Sequence, residues 1–303
     1  MNLTGMIHLF LFPGMLFAIP AGWFFVWGEH KAVARMQRRI GPPLLQPFYD
    51  FVKLTGKSTP SRHGIEADLL RLYPAISVLS LIGAIALLPV IPDGRGFSGD
   101  GILMVALLEL PSVCFILAGF TSGSIFGEIG AIREAVLSVA NNLVFLLAIV
   151  SVAVTKGTFS LSELAAPTWN PGHWIGVLGI LLCIPAKLRL NPFSSASAEQ
   201  EIYSGPLTEY AGAALGMWNL AHGLEWVALT GLVTVLVLPV GGPWWPHAIL
   251  FVAVSFAEVL LLSAISAATA RFTLKRSIRF YWEWAVVLAV LAITSSMYMR
   301  FRS

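Results

Sequence analysis

Long apolar runs alternate with short polar segments along almost the whole chain. A helix that crosses the hydrocarbon core of a bilayer needs about 20 apolar residues, and eight runs reach or approach that length, the fifth being the shortest. The pattern predicts an all-α fold: a polytopic membrane helix bundle of about eight transmembrane helices that forms a single integral membrane domain over 1–303. The predicted spans are residues 4–28, 69–92, 102–123, 132–155, 173–190, 212–239, 245–270 and 280–299.

The polar segment after the first span contains a candidate amphipathic helix. The Gly-Pro-Pro sequence at 41–43 ends any helix that continues from the first span. A second helix can start near Leu44, because Pro47 is tolerated in a first turn. Its two faces differ in polarity, which is typical of a helix on the membrane surface, where basic flanks bind anionic lipid. The apolar face holds Leu44, Leu45, Phe48, Phe51 and Val52, and the polar face holds Gln46, Asp50, Lys53 and Lys57.

Composition and charge place the chain in the membrane and give it an orientation. It is 57% hydrophobic and 12% charged, about half the charged fraction of a soluble domain. With eight spans, 15 of the 19 lysines and arginines fall on one side of the membrane. Cytoplasmic loops carry an excess of basic residues, so this side is predicted to be cytoplasmic, with both termini outside. Its long loops are 29–68 and 187–211.

Several sequence motifs do not indicate a catalytic or ligand-binding site. Cys114 and Cys183 lie in apolar runs without a CxxC pair, so they form neither a disulfide framework nor an iron–sulfur site. The GxGxxG string at 94–99 joins two spans instead of following a strand, and reads as a turn. Gly119 and Gly123 suggest close helix packing. The basic loops have too few interleaved aromatic residues for nucleic-acid binding. No catalytic residue and no cofactor or metal site is predicted in this chain.

Four polar blocks follow one another in order between the spans. They read RMQRRIGP and LLQPFYDFVKL at 35–54, GAIREA at 130–135, PFSSASAEQE at 192–201 and GPLTEYAG at 205–212. Together they resemble the H-type subunit (subunit 1) family of respiratory complex I, membrane-bound nickel–iron hydrogenases and formate hydrogenlyase. In complex I subunits an insertion usually separates the Gly-Pro from the Leu-Leu-Gln-Pro. This chain lacks the insertion, and its motif spacing is similar to that of the hydrogenase branch.

The resemblance implies a membrane-anchoring and coupling subunit of an energy-converting oxidoreductase in a prokaryotic cytoplasmic (inner) membrane. Such a subunit docks a hydrophilic redox arm and links it to proton or sodium translocation. The implied partners are hydrogenase-like large and small subunits, a ferredoxin-like iron–sulfur subunit and antiporter-like membrane subunits, and these would carry the iron–sulfur and Ni–Fe centres. The implied docking residues are Arg35, Arg38, Arg39, Gln46, Asp50 and Lys53, and the implied coupling residues are Arg133, Glu134, Glu199, Glu201 and Glu209.

Charge complementarity suggests how the two long loops hold together. The first is cationic, the second carries three of the glutamates, and opposed charge would join them into a polar floor for a partner. Other ionisable residues fall inside predicted spans, where function is the default hypothesis because burial is costly. They form a possible polar path, although His222 and Glu225 stand three residues apart and can simply pair. The members of this path are Glu109, His222, Glu225 and Glu258.

Three positions depart from the family pattern. Ser194, Ser197 and Asn142 stand where relatives carry carboxylates. Serine and asparagine order water but do not store a proton, which puts the usual proton route in doubt. The alternatives are a quinone-chamber subunit of a complex I-like quinone reductase, a purely structural anchor without proton conduction, and an independent transporter. A transporter would favour inverted-repeat hydropathy, which the sequence does not display.

Overall fold

A computed structural model describes residues 15–57, 64–90, 97–165, 167–238 and 244–302, and in these ranges all regular structure is helical. The predicted all-α membrane bundle is confirmed. The helices are α1 (Met15–Met36), α2 (Gln46–Thr55), α3 (Ile65–Leu87), α4 (Asp100–Thr121), α5 (Ile125–Lys156), α6 (Leu161–Leu164), α7 (Pro171–Lys187), α8 (Glu199–Ile202), α9 (Gly212–Val237), α10 (Trp244–Ala268), α11 (Leu274–Arg279) and α12 (Val286–Arg302), with a 3-10 turn at Gly205–Glu209 and a π-helical segment at Phe280–Ala285 between α11 and α12.

Six membrane-spanning candidates arise from the described residues. They are α3, α4, α5, α9, α10 and the continuous helix from α11 to α12, each long and apolar enough to cross a bilayer. Helix α7 is apolar but has 17 residues. The described part of the chain begins within the first predicted span, at the start of α1. The predicted count of eight therefore rests on α1 and α7 and stays a prediction.

Helix α9 is the centre of the bundle. Its most apolar window is 89% buried, and α1, α2, α3 and α10 all pack against it. A helix that is apolar all round is typical of a protein core or a membrane span, and here neighbouring helices surround most of α9. This helix carries two of the predicted polar-path residues.

Small residues let the helices touch through their backbones. A Cβ atom built on Gly22 of α1 would lie 2.9 Å from the carbonyl carbon of Gly223 in α9. One built on Gly119 would lie 2.6 Å from the carbonyl oxygen of Gly127, so the close packing predicted at Gly119 is confirmed. Gly123, by contrast, has a φ of +63° in the turn after α4. In a bilayer the hydrophobic effect contributes little to helix association, because lipid tails are as apolar as the helices. Close backbone contacts stabilise the association through van der Waals packing instead.

The amphipathic surface helix is confirmed as α2, with Pro47 in its first turn. Its packing differs from the predicted single apolar face. Phe48 and Phe51 contact Trp23 of α1, and Phe51 also approaches Gly216 near the start of α9. The remaining apolar side chains of the predicted face point away from the bundle, about half exposed, because α2 lies across only the end of α1 and α9. These exposed residues are Leu44, Leu45 and Val52.

Two helices extend beyond the boundaries predicted from hydropathy. Helix α1 continues to Met36 instead of ending near residue 28, and α5 begins at Ile125, so most of the segment between the third and fourth predicted spans is helical. Hydropathy marks the part of a helix that contacts lipid, whereas backbone hydrogen bonds continue the helix into the polar zone. Glu29 is thereby held on a rigid helix. The first half of the GxGxxG turn at 94–99 lies outside the described residues.

Candidate coupling and docking site

The segment of residues 35–57, here called the docking segment, is an exposed basic surface. The side chains of Arg35, Arg38, Arg39 and Lys53 are all exposed. Within the described residues none of the four forms an ion pair. The backbone beneath them is fixed, since the Pro42 carbonyl oxygen accepts hydrogen bonds from Trp27 Nε1 and from Lys31 Nζ, both at 3.3 Å.

Arg38 has a φ of +59°, in the left-handed region that an arginine seldom adopts. On α2, Gln46 Nε2 donates to Asp50 Oδ1 at 2.9 Å, so two predicted docking residues order each other. The docking segment is therefore a fixed array of cations, not a flexible tail.

Behind the docking segment lies a partly buried group of five ionisable residues, here called the arginine cluster: Glu29, Glu134, Arg189, His222 and Glu225. Arg189 donates to Glu225 Oε2 at 2.7 Å and more weakly to Glu134 Oε1 at 3.4 Å. His222 bridges outward, with Nδ1 3.9 Å from Glu225 and Nε2 3.8 Å from Glu29. Glu29 also accepts a hydrogen bond of 3.0 Å from Trp226 Nε1. The cluster joins α1, α5, α9 and the segment after α7.

The position of Arg189 explains how one guanidinium serves two carboxylates. It follows the end of α7 with a φ of +56°, which turns its side chain back into the bundle. The guanidinium lies 4.7 Å from the ring centroid of Phe115, a cation–π contact that is strongest when desolvated. Glu134 and Glu225 are each 2% exposed, and in the described part of the chain the Oε2 atom of Glu134 has no hydrogen-bond partner. The cluster has more acids than cations.

A second group around the buried Lys187, here called the lysine cluster, holds Glu109, Asn142 and Lys187. Lys187 forms an ion pair with Glu109 Oε1 and donates to Asn142 Oδ1 at 3.1 Å, while Asn142 Nδ2 donates to Glu109 Oε2 at 2.6 Å. The ammonium group also lies 4.3 Å from the Phe145 centroid. Both oxygens of Glu109 are therefore occupied, and its charge is balanced. A glutamate at 142 would add a second negative charge beside one lysine.

Glu201 is held at the surface between two arginines. Arg133 Nη1 donates to its Oε2 at 2.6 Å, and Arg271 pairs with its other oxygen. The hydrogen bond from Arg133 is the main reason that the pKa of Glu201 lies below its usual value, and the Arg271 charge acts in the same direction. No described residue of the first loop contacts Glu201, so the predicted attraction between the two long loops is not seen for this residue: nearer cations on α5 and before α11 satisfy it.

The remaining predicted residues lie apart from one another. Glu209 is half-buried at the end of the 3-10 turn. Glu199 is the first residue of α8, and its side chain is not among the described ones. Glu258 accepts a hydrogen bond from Thr234. The single polar path predicted from sequence thus divides: His222 and Glu225 belong to the arginine cluster, whereas Glu109 and Glu258 have separate partners.

Sequence reasoning missed three members of these groups, Glu29, Lys187 and Arg189, and the hydrogen-bond donor Trp226. The available signal was weak. Lys187 and Arg189 end an apolar run, and Glu29 opens the block that contains the docking arginines. Among the described residues no group of three or more His, Cys, Asp or Glu side chains is arranged to hold a metal ion.

The sequence of this chain is similar to those of known membrane oxidoreductase subunits. The family model described as NADH dehydrogenase matches residues 8–297. Hydrogenase-4 component C of Escherichia coli strain K12 is 33% identical over 218 residues, 69% of this chain and 68% of that protein. The H-type subunit of the NADH-quinone oxidoreductase of Aquifex aeolicus strain VF5 is 26% identical over 312 residues, 91% of each.

A solved structure agrees with the sequence comparisons. It is a chain from the membrane-bound sulfane sulfur reductase, an archaeal respiratory membrane complex, with a TM-score of 0.89 and 26% identity. The match covers 97% of this chain and 100% of that chain.

Proposed function

The chain belongs to the NADH dehydrogenase family and is a multi-pass membrane subunit of a multisubunit energy-converting oxidoreductase, and from this premise we propose that it docks the redox arm and couples it to ion translocation. The predicted resemblance to the H-type subunit and its hydrogenase branch is confirmed. The proposal assigns docking to the exposed basic segment and coupling to the arginine cluster beneath it.

The proposed partners follow the hydrogenase branch. They are hydrogenase-like large and small subunits, a ferredoxin-like iron–sulfur subunit and antiporter-like membrane subunits, and the iron–sulfur and Ni–Fe centres would lie in those partners. The docking segment would face the cytoplasm of a prokaryote, with both termini on the outer side of the inner membrane. The asymmetric distribution of lysine and arginine supports this orientation.

One observation carries the proposal: α1 connects the docking segment to the arginine cluster. Glu29 and Arg35 stand six residues apart on the same helix, roughly 9 Å along its axis. A change of charge in a docked redox partner would act at this range, because buried groups are poorly screened. Glu29 then passes the perturbation to His222 and on to Glu225 through the contacts already described.

The arginine cluster has the composition that proton uptake needs. Two carboxylates share Arg189, and Glu134 Oε2 accepts no hydrogen bond from any described residue. Interacting acids take up protons as a group, in steps set by their mutual repulsion. Glu109 lacks this freedom, because Lys187 and Asn142 occupy both of its oxygens. We therefore place the coupling proton in the arginine cluster and not in the lysine cluster.

Docking is tested by reversing charge on the exposed segment of the intact complex. The double variant Arg38→Glu/Arg39→Glu should lower co-purification of the soluble arm about tenfold, corresponding to about 1.4 kcal/mol. The matched control is Lys275→Glu/Arg276→Glu, which reverses two cations that are also exposed. Equal retention of the arm in the two variants would contradict docking at residues 35–57.

Coupling is tested with Glu134→Gln in proteoliposomes that contain the whole complex. We expect electron transfer to continue while the number of ions translocated per electron falls. The control is Glu109→Gln/Lys187→Met, which removes a balanced buried pair and should leave the ratio unchanged. An unchanged ratio in Glu134→Gln would favour the purely structural anchor.

A quinone-reducing complex is the second candidate. Similarity to an NADH-quinone oxidoreductase membrane protein over 91% of both chains favours it. Quinone reduction by the purified complex that stops with a quinone-site inhibitor would establish this candidate. Its absence, together with a co-purifying large subunit that has four nickel-ligand cysteines, would establish the hydrogenase.

A further inference from the structure

Glu258 is a partly buried carboxylic acid at the contact between α10 and α9, and no described residue offers it a cationic partner. It lies on α10, more than two turns from either end, and its Oε1 accepts a hydrogen bond of 3.2 Å from Thr234 Oγ1 on α9. Thr234 Oγ1 is also 2.9 Å from the hydroxyl of Ser255, one turn earlier on α10. Glu258 Oε2 is shielded from solvent and has no hydrogen-bond partner within the described ranges.

The charged groups nearest to this carboxylate do not compensate it. Among the described residues Glu258 takes part in no ion pair. On α9, Thr234 is nine residues from Glu225, roughly 13 Å along the axis, and the ionisable groups there are engaged in the arginine cluster. Among the described helices, α1 and α9 make the main contacts with α10. Their ionisable side chains are Glu29, His30, Lys31 and Arg35 on α1 and His222 and Glu225 on α9, with His247 on α10 itself.

An ionised carboxylate buried without a cation is costly, and such groups normally neutralise instead. A proton needs only one acceptor oxygen and no additional space.

We propose that Glu258, Thr234 and Ser255 form a proton-binding site within the membrane domain, separate from the arginine cluster. When Glu258 is ionised, Ser255 donates to Thr234 and Thr234 donates to Glu258. When it is protonated, the direction reverses: Glu258 donates to Thr234 and Thr234 donates to Ser255. The same oxygen–oxygen distances serve both states, so the site gains or loses one proton without moving a heavy atom. This proposal does not depend on the coupling role of the arginine cluster.

Labelling with N,N′-dicyclohexylcarbodiimide tests the proposal directly, because this apolar reagent reacts with protonated carboxyl groups in apolar surroundings. Native complex in its membranes is labelled across about pH 5 to 9, and modified residues are identified by peptide mass spectrometry. We expect Glu258 to be labelled, with less product as pH rises, and Glu109, held by Lys187, to remain unmodified. An unlabelled Glu258 at every pH overturns the proposal. So does protection by sodium at constant pH and ionic strength, which would indicate a sodium site.

Thr234→Val gives a second measurement with a defined direction. It removes a hydrogen bond that is stronger when Glu258 is ionised than when it is protonated, so labelling should persist to a pH about one unit higher. Ser263→Ala is the control, because Ser263 is equally buried on α10 but donates to the Val259 carbonyl instead. Labelling is scored only in assembled complex, which excludes misfolded chains. A half-point that stays in place or moves to lower pH in Thr234→Val contradicts the hydrogen-bonded site.

Discussion

Replacement of Lys187 by methionine should destabilise the bundle strongly, although the two side chains are similar in length. The Lys187 side chain is 2% exposed and that of Glu109 is 21% exposed. Removing one partner of a buried pair leaves the other charge uncompensated, which typically costs 3–5 kcal/mol. Because Glu109 retains some exposure, we expect about 3 kcal/mol, at the lower end of that range.

The double variant Glu109→Gln/Lys187→Met should recover most of this loss. It removes both charges and leaves Asn142 to bond a neutral amide, so the net cost should be within about 1 kcal/mol of zero. The control Lys275→Met makes the same substitution at an exposed position and should change stability by no more than about 0.5 kcal/mol.

The assay is the free energy of unfolding in mixed detergent micelles, measured for the wild type and the variants. A Lys187→Met loss no larger than that of Lys275→Met would refute the buried pair. A double variant as unstable as Lys187→Met alone would show that lysine packing over Phe145, and not charge, provides the stability.

Two further predictions concern the surface and the packing of the bundle. Because the folded pKa of Glu201 is lowered, the stability that its arginines provide is present above the unfolded value of 4.5 and is lost as pH falls through the lower folded value. Hydrogen-exchange protection of residues 199–209, corrected for intrinsic rates, should therefore fall in acid in the wild type, and Glu201→Gln should lack this change. Gly22→Ala should destabilise the chain by about 1–3 kcal/mol, since its Cβ meets the Gly223 backbone. Gly83→Ala, whose Cβ meets only a leucine side chain at 3.4 Å, should be neutral or stabilising by detergent unfolding; the opposite order would contradict the close α1–α9 contact.

Features governed by neighbouring residues were predictable from the sequence. The apolar runs gave six of the membrane helices with boundaries mostly within a few residues, and the prolines and amphipathic pattern gave α2. Gly119 was correctly identified as a packing site. The larger errors fell where a helix continues past its apolar part, as in α1 and at the start of α5, because hydrogen bonding along the backbone does not end at the lipid boundary.

Partners of charged residues that are distant in sequence were not predictable in the same way. Lys187 and Glu109 are separated by 78 residues, and Arg133 and Glu201 by 68. No local pattern encodes such pairs, since they arise only when helices pack. Charge sign alone predicted that Glu201 would attract the first loop, but proximity gave it to Arg133 and Arg271. The functional roles of the docking and coupling residues stay predictions.

Site-specific photo-cross-linking from Lys53 tests the central claim most directly. A photoreactive amino acid replaces Lys53 in the native complex, and the same residue at Lys275 is the control, both positions being exposed. We predict that position 53 cross-links to a water-soluble, iron–sulfur-binding subunit, whereas position 275 gives little or none of that product. Adducts of position 53 with lipid alone, in a complex that retains its soluble arm, would contradict docking at this segment.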